Sequence, residues 1–138
     1  MPKVIRAFPP NWPTIASVFP IKGRPGIVYA YGDRIYNPSG IAIEPWILAH
    51  ENEHCKRQNE HGVGAWWDAY LVNSDFRLYE EVLAHRVEWQ TFRVAHNFKD
   101  NAQYLERMID RLSGPIYKFG IGREIARDLI TEVNSALH

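Results

Sequence analysis

Residues 76–94 place the tightest restriction on how this chain can fold. Set on a helical wheel at about 100° per residue, the apolar side chains Phe76, Leu78, Tyr79, Val82, Leu83, Val87, Trp89, Phe92 and Val94 occupy most of the circumference. A helix that is apolar on nearly every side must be surrounded by other elements, so it is expected at the centre of the fold. One narrow stripe stays polar and carries Arg77, Glu81, His85 and Glu88. Two carboxylates and an imidazole on one face of such a helix mark where a ligand is expected. Asn73-Ser74-Asp75 supplies N-cap chemistry just before it, predicting a helix from there to about His96.

The rest of the chain reads as one domain over residues 1–138. Hydrophobic residues make up 46% and aromatics 13%, enough to fill a single core. Lys+Arg and Asp+Glu each number 16, so there is no basic excess to hold phosphate backbones, and nucleic acid is not an expected partner. The uncharged stretch from Ala7 to Ile21 is broken by Pro9, Pro10, Pro13 and Pro20. It is too short and too interrupted to span a bilayer or serve as a signal peptide, so no membrane partner and a cytoplasmic location are expected. Cys55 is the only cysteine, which excludes an intrachain disulfide and a thiolate cluster within one chain. Any metal site must therefore use histidines and carboxylates. Cys55 itself reads as a small buried apolar side chain.

Residues 1–25 are rich in proline with Trp12 and Phe19 among them, and predict an extended arm that packs its aromatics on the body. Strands are expected over 26–31 and 34–36, joined by the Gly32-Asp33 turn. After the turn residues Asn37-Pro38-Ser39-Gly40, a short third strand is expected at 41–43. Glu44-Pro45 then opens a helix that should end before Gly62, since Pro favours the first helical position. A short aromatic helix over 65–72 and two C-terminal helices over 101–112 and 122–137, the latter with Ile125, Leu129, Ile130 and Val133 at helical spacing, complete the pattern. The expected class is α+β: a small antiparallel sheet of about three strands followed by a helical body, with residues 97–138 forming its C-terminal part. Gly120-Ile121-Gly122 lacks the Lys-Ser/Thr ending of a phosphate loop and is set aside.

The helix that starts at Pro45 contains His50-Glu51-Asn52-Glu53-His54. Side chains four apart share a helix face, so both imidazoles can point at one metal ion, while Glu51 leans over the open side to take a proton from water. With six histidines in the chain, the expected number of chance matches to this pattern is about 0.02. Glu53, Lys56 and Arg57 are expected to face water. A zinc site with two histidines needs a third protein ligand and keeps the fourth position open for water. The candidates are His61, Glu80, Glu81, His85 and Glu88. Glu81, on the polar stripe, is preferred; its alternative role is an ion pair with Arg77 one turn earlier or with a residue of a neighbouring helix. Glu80 falls off the stripe and is expected at the exposed margin. His85 is expected either to hydrogen-bond a ligand or the bound substrate, or to be a satisfied core histidine. Tyr70, Tyr79, His85, His96 and Tyr117 are candidate donors to a developing oxyanion. Trp66 and Trp67 either line a pocket beside the metal or cap the core.

His50-Glu51-x-x-His54, followed 27 residues later by Glu81-Val82-Leu83-Ala84-His85, resembles the gluzincin metallopeptidases, and in size the single-domain minigluzincins. The resemblance implies one zinc ion per chain held by His50, His54 and Glu81, with Glu51 as general base. It also implies an edge strand, residues 27–31 or 34–36, that holds an extended peptide or protein substrate. His85 stands where many relatives have Asp hydrogen-bonded to a ligand histidine. The runs Trp66-Trp67-Asp68-Ala69-Tyr70-Leu71 and Leu112-Ser113-Gly114-Pro115-Ile116-Tyr117 also look like small bacteriophage and prophage proteins. The resulting expectation is a zinc-dependent peptide hydrolase. Its rival is a catalytically inactive protein of the same fold, in which the metal only stabilises a structural or interaction module.

Overall fold

The computed structural model describes residues 2–22 and 24–131. In chain order they form β1 (Lys3–Ile5), α1 (Trp12–Val18), β2 (Tyr29–Tyr31), β3 (Arg34–Tyr36), α2 (Pro45–His61), α3 (Val63–Val72), α4 (Ser74–Ala95), α5 (Phe98–Ser113) and α6 (Arg123–Thr131). The fold is α+β, with a three-stranded sheet and a helical body. No helix among the described residues is long and apolar enough to cross a membrane.

Local signals set most helix ends. Pro45 opens α2, and Gly62, at a φ of 92°, closes it in a backbone conformation that costs glycine little. The Asn73 side chain accepts hydrogen bonds from the backbone N–H groups of Asp75 and Phe76, capping α4. Asn97 does the same for α5 through the Asp100 N–H. The expected extension of the last helix to Leu137, including Val133, lies outside the described residues.

The sheet departs from expectation in one strand. β2 and β3 form the predicted antiparallel hairpin, but the third strand is β1, from the N-terminal arm, and it lies parallel to β3. The strand order is β1-β3-β2, so the sheet is mixed. Residues 41–43 form no strand. β3 already has a neighbour on each side, and the Asn37–Gly40 turn, closed by the Asn37 Nδ2 bond to the Ile41 carbonyl, hands the chain directly to α2. The arm is also less extended than expected, since residues 12–18 are helical; Pro13 sits in the first turn, where its missing N–H has no intrahelical partner to lose.

α4 occupies the centre, as its wheel predicts. Val82, Trp89 and Phe92 pack with Tyr104, Met108, Ile109 and Leu112 of α5 and with Ala126 and Ile130 of α6. Met108, Ile109 and Leu112 are fully buried, each contributing about 1.5–3 kcal/mol from apolar burial. A second cluster joins Ile15, Phe19 and Ile21 of the arm to Tyr29, Tyr36, Trp66, Trp67 and Tyr70. Cys55 is buried against Ala30 and Ile35 in a third, as expected. Between the first two clusters, the facing sides of α2 and α4 are polar.

Candidate metal centre

α2 and α4 present their polar stripes to each other. His50, Glu51 and His54 come from α2, and Glu81, His85 and Glu88 from α4; all six are buried. The Glu81 carboxylate lies between the two motif histidines, with Oε2 2.9 Å from His54 Nε2 and Oε1 3.4 Å from His50 Nε2. Donors placed around one ion at about 2.0–2.1 Å are separated by about 3.4 Å in a tetrahedron, so Glu81 stands near ligand spacing from each motif histidine, while the side chains whose ligand atoms all lie within 4.8 Å of one another are His50, Glu81 and His85. Arg77 is not the partner of Glu81: its guanidinium donates to the carbonyls of Tyr70 and Tyr117 and lies over the Phe19 ring.

Each imidazole is held in a defined way. His50 Nδ1 donates to Glu88 Oε1 at 2.8 Å, which turns Nε2 toward Glu81. Glu88 is fully buried and is itself gripped by the Tyr104 hydroxyl and the Arg111 guanidinium. A carboxylate behind a ligand histidine fixes its tautomer and raises its basicity. At the position where the resemblance leads one to look for that carboxylate stands His85; the carboxylate comes instead from Glu88, three residues further along α4. His85 Nδ1 donates to the Glu81 backbone carbonyl at 2.6 Å, leaving Nε2 as a buried acceptor with no hydrogen-bond partner. Glu81 Oε1 and His54 Nδ1 are likewise buried and unpaired. His50, Glu81 and His85 each offer a ligand atom within 4.8 Å of the others, so this His/Glu cluster can hold a metal ion.

The charges are strongly coupled. Burial opposes a charged His50, but the adjacent Glu81 and Glu88 carboxylates outweigh burial and push its pKa from 6.5 up to about 10. Burial likewise opposes ionised Glu81 and Glu88, yet the histidines, and for Glu88 also Arg111, hold both below the usual carboxylate range. Glu51 goes the other way: burial raises its carboxyl above 4.5 despite the neighbouring His50 and His54. His85 is pulled down to about 3 by burial and by the charges of His50 and Arg111, so it stays neutral. A neutral imidazole with a free Nε2 and a carboxylate with a free oxygen are groups a divalent cation satisfies.

The cluster opens on a pocket of about 360 Å³. His50, Glu51, His54 and Glu81 are on its wall, while His85, with no exposure, sits behind them. Tyr70 donates to Glu81 Oε2 at 2.6 Å, and Tyr117 lines the same pocket. Burial and the charge of Glu81 raise the pKa of both phenols, so both remain protonated. Trp66 and Trp67 also line it. β2, at the sheet edge, is tied to the motif helix by Gln58, one turn after His54: Nε2 donates to the Ala30 carbonyl at 3.0 Å and Oε1 accepts the Gly32 N–H at 2.7 Å.

Several expected residues lie elsewhere. His61 is exposed near Phe76. Tyr79 lies under the Arg57 guanidinium, and His96 stacks on Phe92 away from the pocket. Glu80 is buried rather than marginal, and Arg57 is only partly exposed, because the two form an ion pair that Trp66 Nε1 joins. Sequence reasoning missed the roles of Glu88, Tyr104, Arg111 and Gln58. For Glu88 the signal was present, since it lies on the polar stripe; Tyr104 and Arg111 carried none. Comparison with protein-family models, curated proteins and solved structures finds no significant match.

Proposed function

We propose that the chain is a metal-dependent hydrolase of peptide bonds that binds one zinc ion through His50, His54 and Glu81. The observation that carries this reading is the convergence of both motif Nε2 atoms on one buried carboxylate, with an unpaired oxygen, on the wall of a pocket that also holds Glu51. Zinc bound there would supply Lewis acidity, lowering the pKa of a water and polarising a carbonyl. Glu51, its pKa raised by burial, takes the proton of the attacking water and returns it to the leaving amine. Glu88 holds the His50 ring in place, and Tyr117, protonated on the pocket wall, is the donor for the carbonyl oxygen.

A second reading is favoured by His85. Its unpaired Nε2 offers a further nitrogen ligand, and a metal closed off by four side chains would be structural. His54 is preferred over His85 as ligand because His54 lines the pocket and His85 does not. Metal content per chain separates the readings. Wild-type protein is expected to carry about one zinc, lost in His54→Ala and Glu81→Ala and retained in His85→Ala and Glu51→Gln. Glu51→Gln should also lose about 10²–10⁴-fold in peptide turnover. Loss of zinc in His85→Ala with its retention in His54→Ala would replace the hydrolase with the structural reading.

A further inference from the structure

Resting on the hydrolase reading, we propose that Gln58 closes one end of a peptide-binding edge about two residues from the metal, so that the protein trims peptides from the amino end and does not cut within long chains. β2 is an outer strand of the sheet. Flanking β3, the Asp33 carbonyl accepts from the Lys3 N–H and the Asn37 N–H donates to the Ile5 carbonyl, both in β1. Main-chain groups alternate sides along a strand, so Arg34 and Tyr36 face β2, where they meet Tyr31 and Tyr29. Val28, Ala30 and Gly32 therefore turn their N–H and C=O groups to the open edge.

Gln58 occupies one end of that edge. Its side-chain amide donates to the Ala30 carbonyl and accepts from the Gly32 N–H, the two bonds that one residue of an adjoining parallel strand would make. Asn59 Nδ2 takes the Gly32 carbonyl at 3.3 Å. Gln58 is fully buried, so a peptide cannot pair there without expelling it. Upstream the edge stays open: Val28 has no hydrogen-bond partner among the described residues, and residues 26–30 line the same pocket as His50, Glu51 and His54. An extended peptide can add to such an edge through its main chain. Gln58 follows His54 by one helical turn, about 6 Å, and an extended chain advances about 3.3 Å per residue. About two residues thus fit between the metal and the Gln58 amide. In antiparallel alignment, the more stable of the two, the end that meets Gln58 is the amino terminus.

The test joins an unstructured peptide to a folded, tryptophan-free carrier domain, either through its carboxyl end, leaving the amino end free, or through its amino end. Binding to zinc-loaded Glu51→Gln is followed by tryptophan fluorescence, since Trp66 and Trp67 line the pocket, and cleavage by zinc-loaded wild type by mass spectrometry. The carrier with the free amino end is expected to bind about 10-fold or more tighter, each main-chain hydrogen bond that the other loses being worth a few-fold. Wild type should shorten it from that end by about one or two residues at a time and leave the other uncut. In Gln58→Ala protein that retains its zinc, the discrimination should disappear. Equal binding of the two carriers, internal cleavage by wild type, or discrimination that survives in zinc-loaded Gln58→Ala would overturn the assignment of Gln58. Discrimination in binding with no cleavage of either carrier by zinc-loaded wild type would instead sink the hydrolase reading and leave that assignment standing.

Discussion

Glu80 and Glu81 are consecutive residues of α4, both buried, and both reach partners on α2 and α3, yet they do opposite things. Both oxygens of Glu80 are taken by the Arg57 guanidinium, at 2.9–3.2 Å, and Oε1 also accepts the Trp66 indole N–H at 2.7 Å. Glu81 is held by Tyr70 and His54 through one oxygen, while the other is buried and unpaired beside His50. A closed network of this kind fixes the positions of three helices and has no capacity left for a ligand. The open one carries a standing cost of about 1–3 kcal/mol for its unmet group. That cost persists unless something, such as a cation, satisfies the group. One step of about 100° round the helix thus separates a fastening from a site.

The largest expected effect tests that contrast directly. Glu80→Ala leaves the Arg57 charge in a half-buried place without its partner, and should destabilise the fold by about 3 kcal/mol, discounted for the 21% exposure of Arg57. Its zinc content should be unchanged. Glu81→Ala should lose zinc, and in the metal-free protein it should lower the denaturant midpoint less than Glu80→Ala does, because it removes the partner of Tyr70 and His54 but also a carboxylate oxygen that had no hydrogen bond. Denaturant unfolding of chelator-treated protein, beside metal content, reads both. If Glu80→Ala loses zinc, or Glu81→Ala destabilises the metal-free fold more than Glu80→Ala, the division between the two carboxylates is wrong.

Glu88 offers a sharper form of the comparison, because it is as buried as Glu80 but its partner is a proposed ligand. Glu88→Gln keeps the shape and loses the charge behind His50. A loss of about 10–100-fold in zinc affinity is expected, corresponding to about 1.4–2.7 kcal/mol. Competition titration against a chelator of known affinity measures it. An unchanged affinity would reduce Glu88 to a packing partner of Tyr104 and Arg111.

What the residues disclosed in advance was whatever is local. Pro45, Gly62 and Asn73 marked helix ends because capping is decided by a few neighbouring backbone groups. The spacing of His50, Glu51 and His54, and the stripe carrying Glu81 and Glu88, are properties of one helix and were readable from its period. What stayed hidden depends on how elements meet. β1 is three residues long and pairs with a strand about thirty residues away, so no period announces it. Glu80 looked marginal because a wheel gives its angle on α4 but not the approach of Arg57 and Trp66 from two other helices. Tyr104 and Arg111 reach Glu88 from α5, and only the packing of α5 on α4 brings them there.

The smallest expected effect concerns pH in the metal-free protein, where the open network is neutralised only by protons. Glu88, held below its ordinary 4.5 mainly by His50 against the opposing push of burial, contributes stability present above pH 4.5 and lost as the pH falls below it. His50, held above 6.5 by Glu81 and Glu88 although burial opposes its charge, contributes stability present below pH 6.5 and lost as the pH rises through about 10. The pair therefore stabilises the metal-free fold fully only between pH 4.5 and 6.5. The difference in melting temperature between chelator-treated wild type and Glu88→Gln should be greatest in that window and shrink on both sides. A difference independent of pH would mean that His50 and Glu88 meet as a neutral hydrogen bond. The open network would then owe its readiness for a cation to the unpaired Glu81 oxygen alone.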